Sequence, residues 1–89
     1  MTKREMPLRR VSLVDQLVRT IQHELITGKY PVGTAFVEED VKNRYNVSRS
    51  TTREALVRLE EDRFLSRDAG TRTLRFRTLT KDEIRDVYY

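Results

Sequence analysis

Four residues at close spacing, Ser48, Arg49, Ser50 and Arg53, carry the most specific chemistry in this 89-residue chain. A guanidinium presents a rigid fork of donors that suits phosphate oxygens and the O6 and N7 acceptors of guanine. Short hydroxyls suit phosphates and base edges alike. Ser48 is also a strong helix N-cap residue, because its hydroxyl can accept a hydrogen bond from an orphan N–H of the first turn. A helix opening there would present free N–H groups and the positive end of its dipole, both of which favour a phosphate. Behind the tip, Thr52, Ala55, Leu56 and Leu59 recur at helical spacing and form one buried stripe, whereas Arg49, Ser50 and Arg53 project from another face. Such a helix can give one side to a core and its basic tip to the groove of a duplex.

The neighbouring segments look built to position that tip. Residues 37–45 predict a preceding helix, with Val37, Val41 and Tyr45 at i, i+4, i+8. Its start is weak, since Val37 stands where a capping Ser or Asp would be expected; Glu38, Glu39 and Asp40 partly offset this through the helix dipole. Asn46 tolerates the left-handed backbone that a tight helix–helix turn demands. Helix, short turn and capped helix with a basic tip make a helix-turn-helix pattern.

Upstream, Ser12-x-x-Asp15 opens a first helix in capping-box fashion. Val14, Leu17, Val18, Ile21 and Leu25 give it an apolar face, and Gly28 ends it. His23, the one histidine, reads as a surface or partly packed residue. Pro31 and Gly33 make a turn, after which residues 34–36 could add a short strand.

Downstream, residues 64–67 and 72–77 read as two strands around the turn Asp68-Ala69-Gly70-Thr71. Leu74 and Phe76 alternate with Thr73, Arg75 and Arg77. A hairpin with basic tip and edge after a helix-turn-helix is the wing of a winged helix. The same pattern also describes an ordinary hairpin that closes a small core, with arginines blocking edge pairing. The expected fold class is α+β, mainly helical: a winged helix-turn-helix of three helices and a small β-hairpin, followed by the start of a further helix.

Residues 1–11 read as a basic arm, with Lys3, Arg4, Arg9 and Arg10, that either aids solubility as a frayed terminus or touches phosphates. At the other end, Thr80-x-x-Glu83 is a capping box, and Ile84, Val87 and Tyr88 begin an apolar helical face. The expected organisation is therefore an arm over 1–11, a winged helix-turn-helix over 12–77, and over 78–89 a linker and the first helix of a truncated C-terminal domain.

The formal net charge is +4 and the isoelectric point near 9.8, compatible with an anionic partner when the charge is clustered. No cysteine is present, which removes disulfides, thiolate nucleophiles and cysteine-based zinc sites. No apolar run approaches the roughly 20 residues of a membrane span, and the N-terminus lacks the apolar core of a signal peptide. A soluble cytoplasmic protein without a membrane partner is expected.

The run Val47-Ser48-Arg49-Ser50-Thr51-Thr52-Arg53-Glu54-Ala55-Leu56, with Leu59 and the wing pair Gly70-Thr71, resembles the N-terminal domain of the GntR family of bacterial transcriptional regulators. The likeness runs from about Ser12 to Phe76 and includes Ile26-Thr27-Gly28, the Pro31/Gly33 turn and Glu38. The tail LTKDEIRDVYY looks like the opening of the all-helical effector domain of the FadR-like branch. The resemblance implies a winged helix-turn-helix that binds a short palindromic double-stranded operator as a homodimer. Ser48, Arg49, Ser50, Thr51 and Arg53 match the family's DNA-contacting helix tip, and Gly70 matches the wing glycine that approaches the minor groove, with Thr71 and Arg72 beside it. No cofactor is expected in this fragment; a small-molecule effector, with or without a metal ion, is implied for the C-terminal domain.

Four positions depart from the family pattern. Glu39 stands in place of a frequent phosphate-binding arginine, Lys42 in place of a small alanine, Arg63 in place of a glycine, and Ala69 in place of a polar wing-tip residue. Arg63 must either take a less favoured backbone or let its helix end differently.

Two other functions find less support in the sequence. A winged helix can serve as a protein-interaction module, for which Val57, apolar but off the core stripe, is the one residue that speaks. An enzyme has little to work with: one histidine, no cysteine, no glycine-rich phosphate loop, and an acidic cluster at Glu38–Asp40 without companions. Repressor and activator look the same at this level, because the outcome depends on where an operator lies relative to its promoter.

Overall fold

Val14, Leu17, Val18, Ile21 and Leu25 all go inside, as a 3.6-residue period dictates for a helix lying on a core. In the computed structural model, which describes residues 5–78 and side chains from residue 13 onward, they lie on α1, Glu5–Ile26. Then follow α2, Glu38–Tyr45, α3, Arg49–Glu61, and the strands β1, Leu65–Arg67, and β2, Leu74–Phe76. This is a three-helix winged helix-turn-helix. The expected helix after Thr80 lies outside the described residues, as does the start of the basic arm.

One boundary differs from the expectation. The first helix begins at Glu5, seven residues before Ser12. Glu, Met, Leu and Arg in this stretch are good helix formers, and Pro7 falls in the first turn, where its missing N–H costs nothing. A capping pattern at Ser12 cannot start a helix that already runs through it. The other end is as expected. Gly28 takes φ 88°, and Lys29 N–H donates to Glu24 C=O at 2.9 Å while Gly28 N–H reaches Leu25 C=O at 3.4 Å. These two bonds are a Schellman closure.

Against α1 packs α3, through Ala55, Leu56 and Leu59, and α2 in turn packs on α3, with Val41 in the same core. Thr52 is fully buried in the same stripe; its hydroxyl donates to Ser48 C=O at 2.9 Å, so no polar group is stranded. Val37 stands in the capping position, as expected, and is 45% exposed. It is the extended residue before the helix, not part of its first turn. There it offers no side-chain cap, as its type requires.

Strands β1 and β2 pair antiparallel with Leu65 opposite Phe76 and Arg67 opposite Leu74, which places all three apolar members of these pairs in the core. The short third strand appears as a bridge from Ala35 to Arg75. It is held by Phe36 N–H to Leu74 C=O at 2.8 Å and Phe76 N–H to Thr34 C=O at 2.9 Å. This pairing fixes the wing to the connector that leads into α2. The wing and the helix-turn-helix are therefore one body.

A polar network pins the far end of α2. Tyr45 donates to Glu24 on α1, Tyr30 and Tyr45 share a bond of 3.0 Å, and Arg44 donates to the Tyr30 hydroxyl at 2.8 Å. Burial, aided by the bond to Glu24, pushes the Tyr45 phenol well above its ordinary pKa. That bond to Tyr30 raises the affinity of Arg44 for its proton.

Candidate nucleic-acid interface

The turn between α2 and α3 is closed by Asn46 at φ 54°, ψ 54°, the left-handed geometry expected of that residue. Val47 N–H returns to Lys42 C=O at 3.2 Å. Ser48 then caps α3: its Oγ accepts from Thr51 N–H at 3.1 Å. The same hydroxyl donates to Thr51 Oγ1 at 3.0 Å and lies 3.3 Å from Ser50 Oγ. The cap fixes the tip by hydrogen bonds alone.

Of the tip residues singled out in the sequence, Ser48, Arg49, Ser50 and Arg53 are exposed. Thr51 is not. It is 4% exposed and its hydroxyl faces Ser48, so it shapes the tip from beneath and presents no surface of its own.

The arginines have partners that sequence reasoning missed. Arg53 Nε donates to Glu38 Oε2 at 2.8 Å. Arg49 reaches Glu38 with Nη1 at 3.5 Å and Glu39 with Nη2 at 3.4 Å. Glu39 also lies 3.7 Å from Lys42 Nζ. The acids of the first turn of α2, read in the sequence as dipole partners, thus lie beside the first turn of α3. Their spacing of ten, eleven and fifteen residues from the arginines spans the turn between two helices; the fold alone brings them together. Arg49 and Arg53 keep side-chain exposures of 52% and 66%. Ion pairs so exposed are worth at most about 1 kcal/mol each, less than the roughly 1–3 kcal/mol of a bidentate arginine–guanine contact. A base edge can therefore compete for either guanidinium, whose remaining donors are free of the carboxylates.

On the wing, the expected turn at 68–71 is a longer loop, because β2 starts at Leu74. Asp68 Oδ1 accepts from Gly70 N–H at 2.9 Å, and Asp68 Oδ2 lies 3.3 Å from Arg75 Nε. The Gly70 bond foremost, then Arg75, hold the Asp68 carboxyl below its ordinary pKa. The left-handed residue of the loop is Arg72, φ 64°, not Gly70. A Cβ at Gly70 would meet only Asp68 Oδ1, at 3.6 Å, so nothing among the described residues demands glycine there. Gly70, Thr71 and Arg72 are all exposed at the tip. Thr71 Oγ1 donates to Thr73 Oγ1 at 2.9 Å, and Arg67 Nη1 donates to Arg72 C=O at 3.0 Å.

Helix tip and wing meet across a groove of about 430 Å³. Glu38 and Arg53 line one wall and Arg67, Arg72 and Thr73 the other, with Phe36, Leu56 and Leu74 beneath. Exposed Val37 and Val57 complete its edge. Among the described residues no group of His, Asp or Glu side chains could hold a metal ion, and no helix is long and apolar enough to cross a membrane.

Comparison with known proteins agrees with this architecture. A GntR family transcriptional regulator from Listeria monocytogenes is 24% identical, with a TM-score of 0.65 over 84% of this chain and 65% of its own. E. coli McbR/YncC is 22% identical, with a TM-score of 0.65 over 83% of this chain and 34% of its own. Streptococcus agalactiae GntR is 27% identical, with a TM-score of 0.58 over 80% and 36%. The chain thus spans less than two thirds of the length of each solved relative. A search of curated proteins finds no match to the chain. Residues 13–74 match the family described as bacterial regulatory proteins, gntR family, and on that match, over more than half its length, the chain belongs to the GntR family and carries its DNA-binding winged helix-turn-helix domain.

Proposed function

We propose that this domain reads a short palindromic operator as part of a homodimeric, ligand-responsive regulator, with the tip of α3 in the major groove and the wing in or near the minor groove. One observation carries the reading: Arg53 of α3 and Arg72 of the wing line a single groove, with Arg49 and Ser50 exposed on the adjoining helix tip. A helix tip fits a major groove, and a wing that lines the same groove of the protein can follow the DNA backbone to the next groove. Arg49 and Arg53 read bases or anchor adjacent phosphates. Ser48 and Ser50 position the tip, Thr51 supports it from below, and Gly70, Thr71 and Arg72 set the wing.

A palindrome follows from two-fold symmetry, because each half-site meets one copy of the tip. A small-molecule effector, with or without a metal ion, would act from the domain expected after residue 78. Where the operator overlaps a promoter, occupancy represses; the cytoplasm of a bacterium is where such a regulator meets DNA.

The test is selection from random duplex DNA at moderate salt, with titration of the enriched duplex against salt. An enriched inverted repeat, or a single half-site, with affinity falling steeply as salt rises, is the expected result. No enrichment and no salt dependence would instead favour a protein partner seated on Val37 and Val57.

A further inference from the structure

We propose that Glu39 is a specificity-determining residue that reads cytosine jointly with Arg49, so that the two side chains recognise one G·C pair as a unit; this rests on the placement of α3 in the major groove proposed above. The starting point is charge. A carboxylate aimed at a DNA groove is repelled by phosphates unless cations accompany it, and Glu39 has two. Its Oε1 lies 3.4 Å from Arg49 Nη2 and its Oε2 lies 3.7 Å from Lys42 Nζ. The Glu39 side chain is 56% exposed and that of Arg49 52%, so both heads can reach outward together. Neither contact saturates its partners: a guanidinium has five donors and a carboxylate about four acceptor sites.

The order of groups decides the match. In the major groove a G·C pair shows N7 and O6 acceptors on guanine, then the N4–H donor on cytosine. An arginine beside a glutamate shows donor, donor, acceptor. An A·T pair would set its N6–H donor against the guanidinium and its O4 acceptor against the carboxylate, two repulsive contacts in place of attractive ones. Glu38 does not share this role. It holds Arg53 at 2.8 Å and is only 27% exposed, which makes it a positioning residue.

The experiment uses a duplex enriched by the wild-type protein. The G·C pair is first located as the one whose substitution no longer matters to Arg49→Ala. Its cytosine is then replaced by N4-methylcytosine, which still pairs with guanine but loses the N4–H that faces the major groove. The methylated duplex is expected to bind the wild type about ten-fold more weakly and Glu39→Ala no differently from the unmodified one. Glu39→Gln, which keeps an acceptor oxygen, should retain part of the discrimination. Circular dichroism of both variants checks that the exposed substitution leaves the fold intact. The inference is overturned if methylation weakens wild type and Glu39→Ala alike, or neither. It is equally overturned if Glu39→Ala binds every duplex more tightly by one common factor, because Glu39 would then only damp phosphate attraction. A wild type that enriches no sequence would sink the operator reading itself, and this inference with it.

Discussion

At Arg63 the backbone takes φ 69°, a conformation in which a β-carbon is crowded and glycine is at ease. The chain accepts it because the end of α3 needs it. Phe64 N–H donates to Leu59 C=O at 2.9 Å and Arg63 N–H to Glu60 C=O at 3.0 Å, the same two-bond closure that Gly28 gives to α1. The closure also turns Phe64 into the core, where it is 3% exposed. Of the two outcomes open at this position, strained backbone or a different helix end, the structure shows the first. Arg63→Gly is therefore expected to stabilise the domain by about 1 kcal/mol, after the added freedom of glycine in the unfolded chain is set against the relieved strain. Thermal denaturation should show a rise of about 4–8 °C for a domain of this size. Gly28→Ala, at φ 88° with no steric contact within 4 Å, is the mirror experiment and should lower the midpoint through backbone strain alone. A fall in midpoint with Arg63→Gly would mean that the arginine side chain contributes more than its backbone costs.

The wing shows what sequence patterns do and do not specify for an element. Alternation placed Leu74 and Phe76 in the core, since a period of two leaves no other choice once one face is covered. It could not place the start of β2, because Arg72 takes the left-handed conformation and Asp68 N–H pairs with Thr73 C=O at 2.8 Å across the loop. Likewise the capping pattern at Ser12 was sound local chemistry, overridden by a helix that was already running. The loop that results depends on one ionised carboxylate. Asp68 accepts from Gly70 N–H and faces Arg75, and its pKa is lowered in the folded state. Its contribution to wing order is thus present above the ordinary aspartate value of about 3.9 and is lost as pH falls through the lower, folded value. The Gly70 amide resonance should titrate with a midpoint below 3.9, roughly the unperturbed value, and Asp68→Asn should abolish that titration. A midpoint at or above the ordinary value would show that the Asx turn does not persist in solution.

Among the described residues the positive charge is not offset evenly, and the sequence alone could not show this. The run from Ser48 to Arg53 was legible because capping, stripe and basic tip are local to one helix. Glu38 and Glu39 were legible only as acids, because which helix ends adjoin is a property of packing. Their presence means that the tip of α3 is nearly neutralised by the chain itself, whereas Arg72 has no acidic partner among the described residues. Affinity that comes from phosphate neutralisation falls with salt at a slope of about −0.9 per phosphate contact. Arg72→Ala should therefore flatten the salt dependence of operator binding by about one unit of slope and weaken all sequences alike. Arg49→Ala should leave the slope nearly unchanged, since Glu39 and Glu38 already offset that charge. It should nonetheless lose on the order of 1–3 kcal/mol on the operator and little on random duplex. Titrations of both variants over a salt series separate the two effects. If Arg49→Ala flattened the slope as much as Arg72→Ala, the carboxylates of α2 would have let go of Arg49 before it met DNA, and the tip would be a phosphate clamp in place of a base reader.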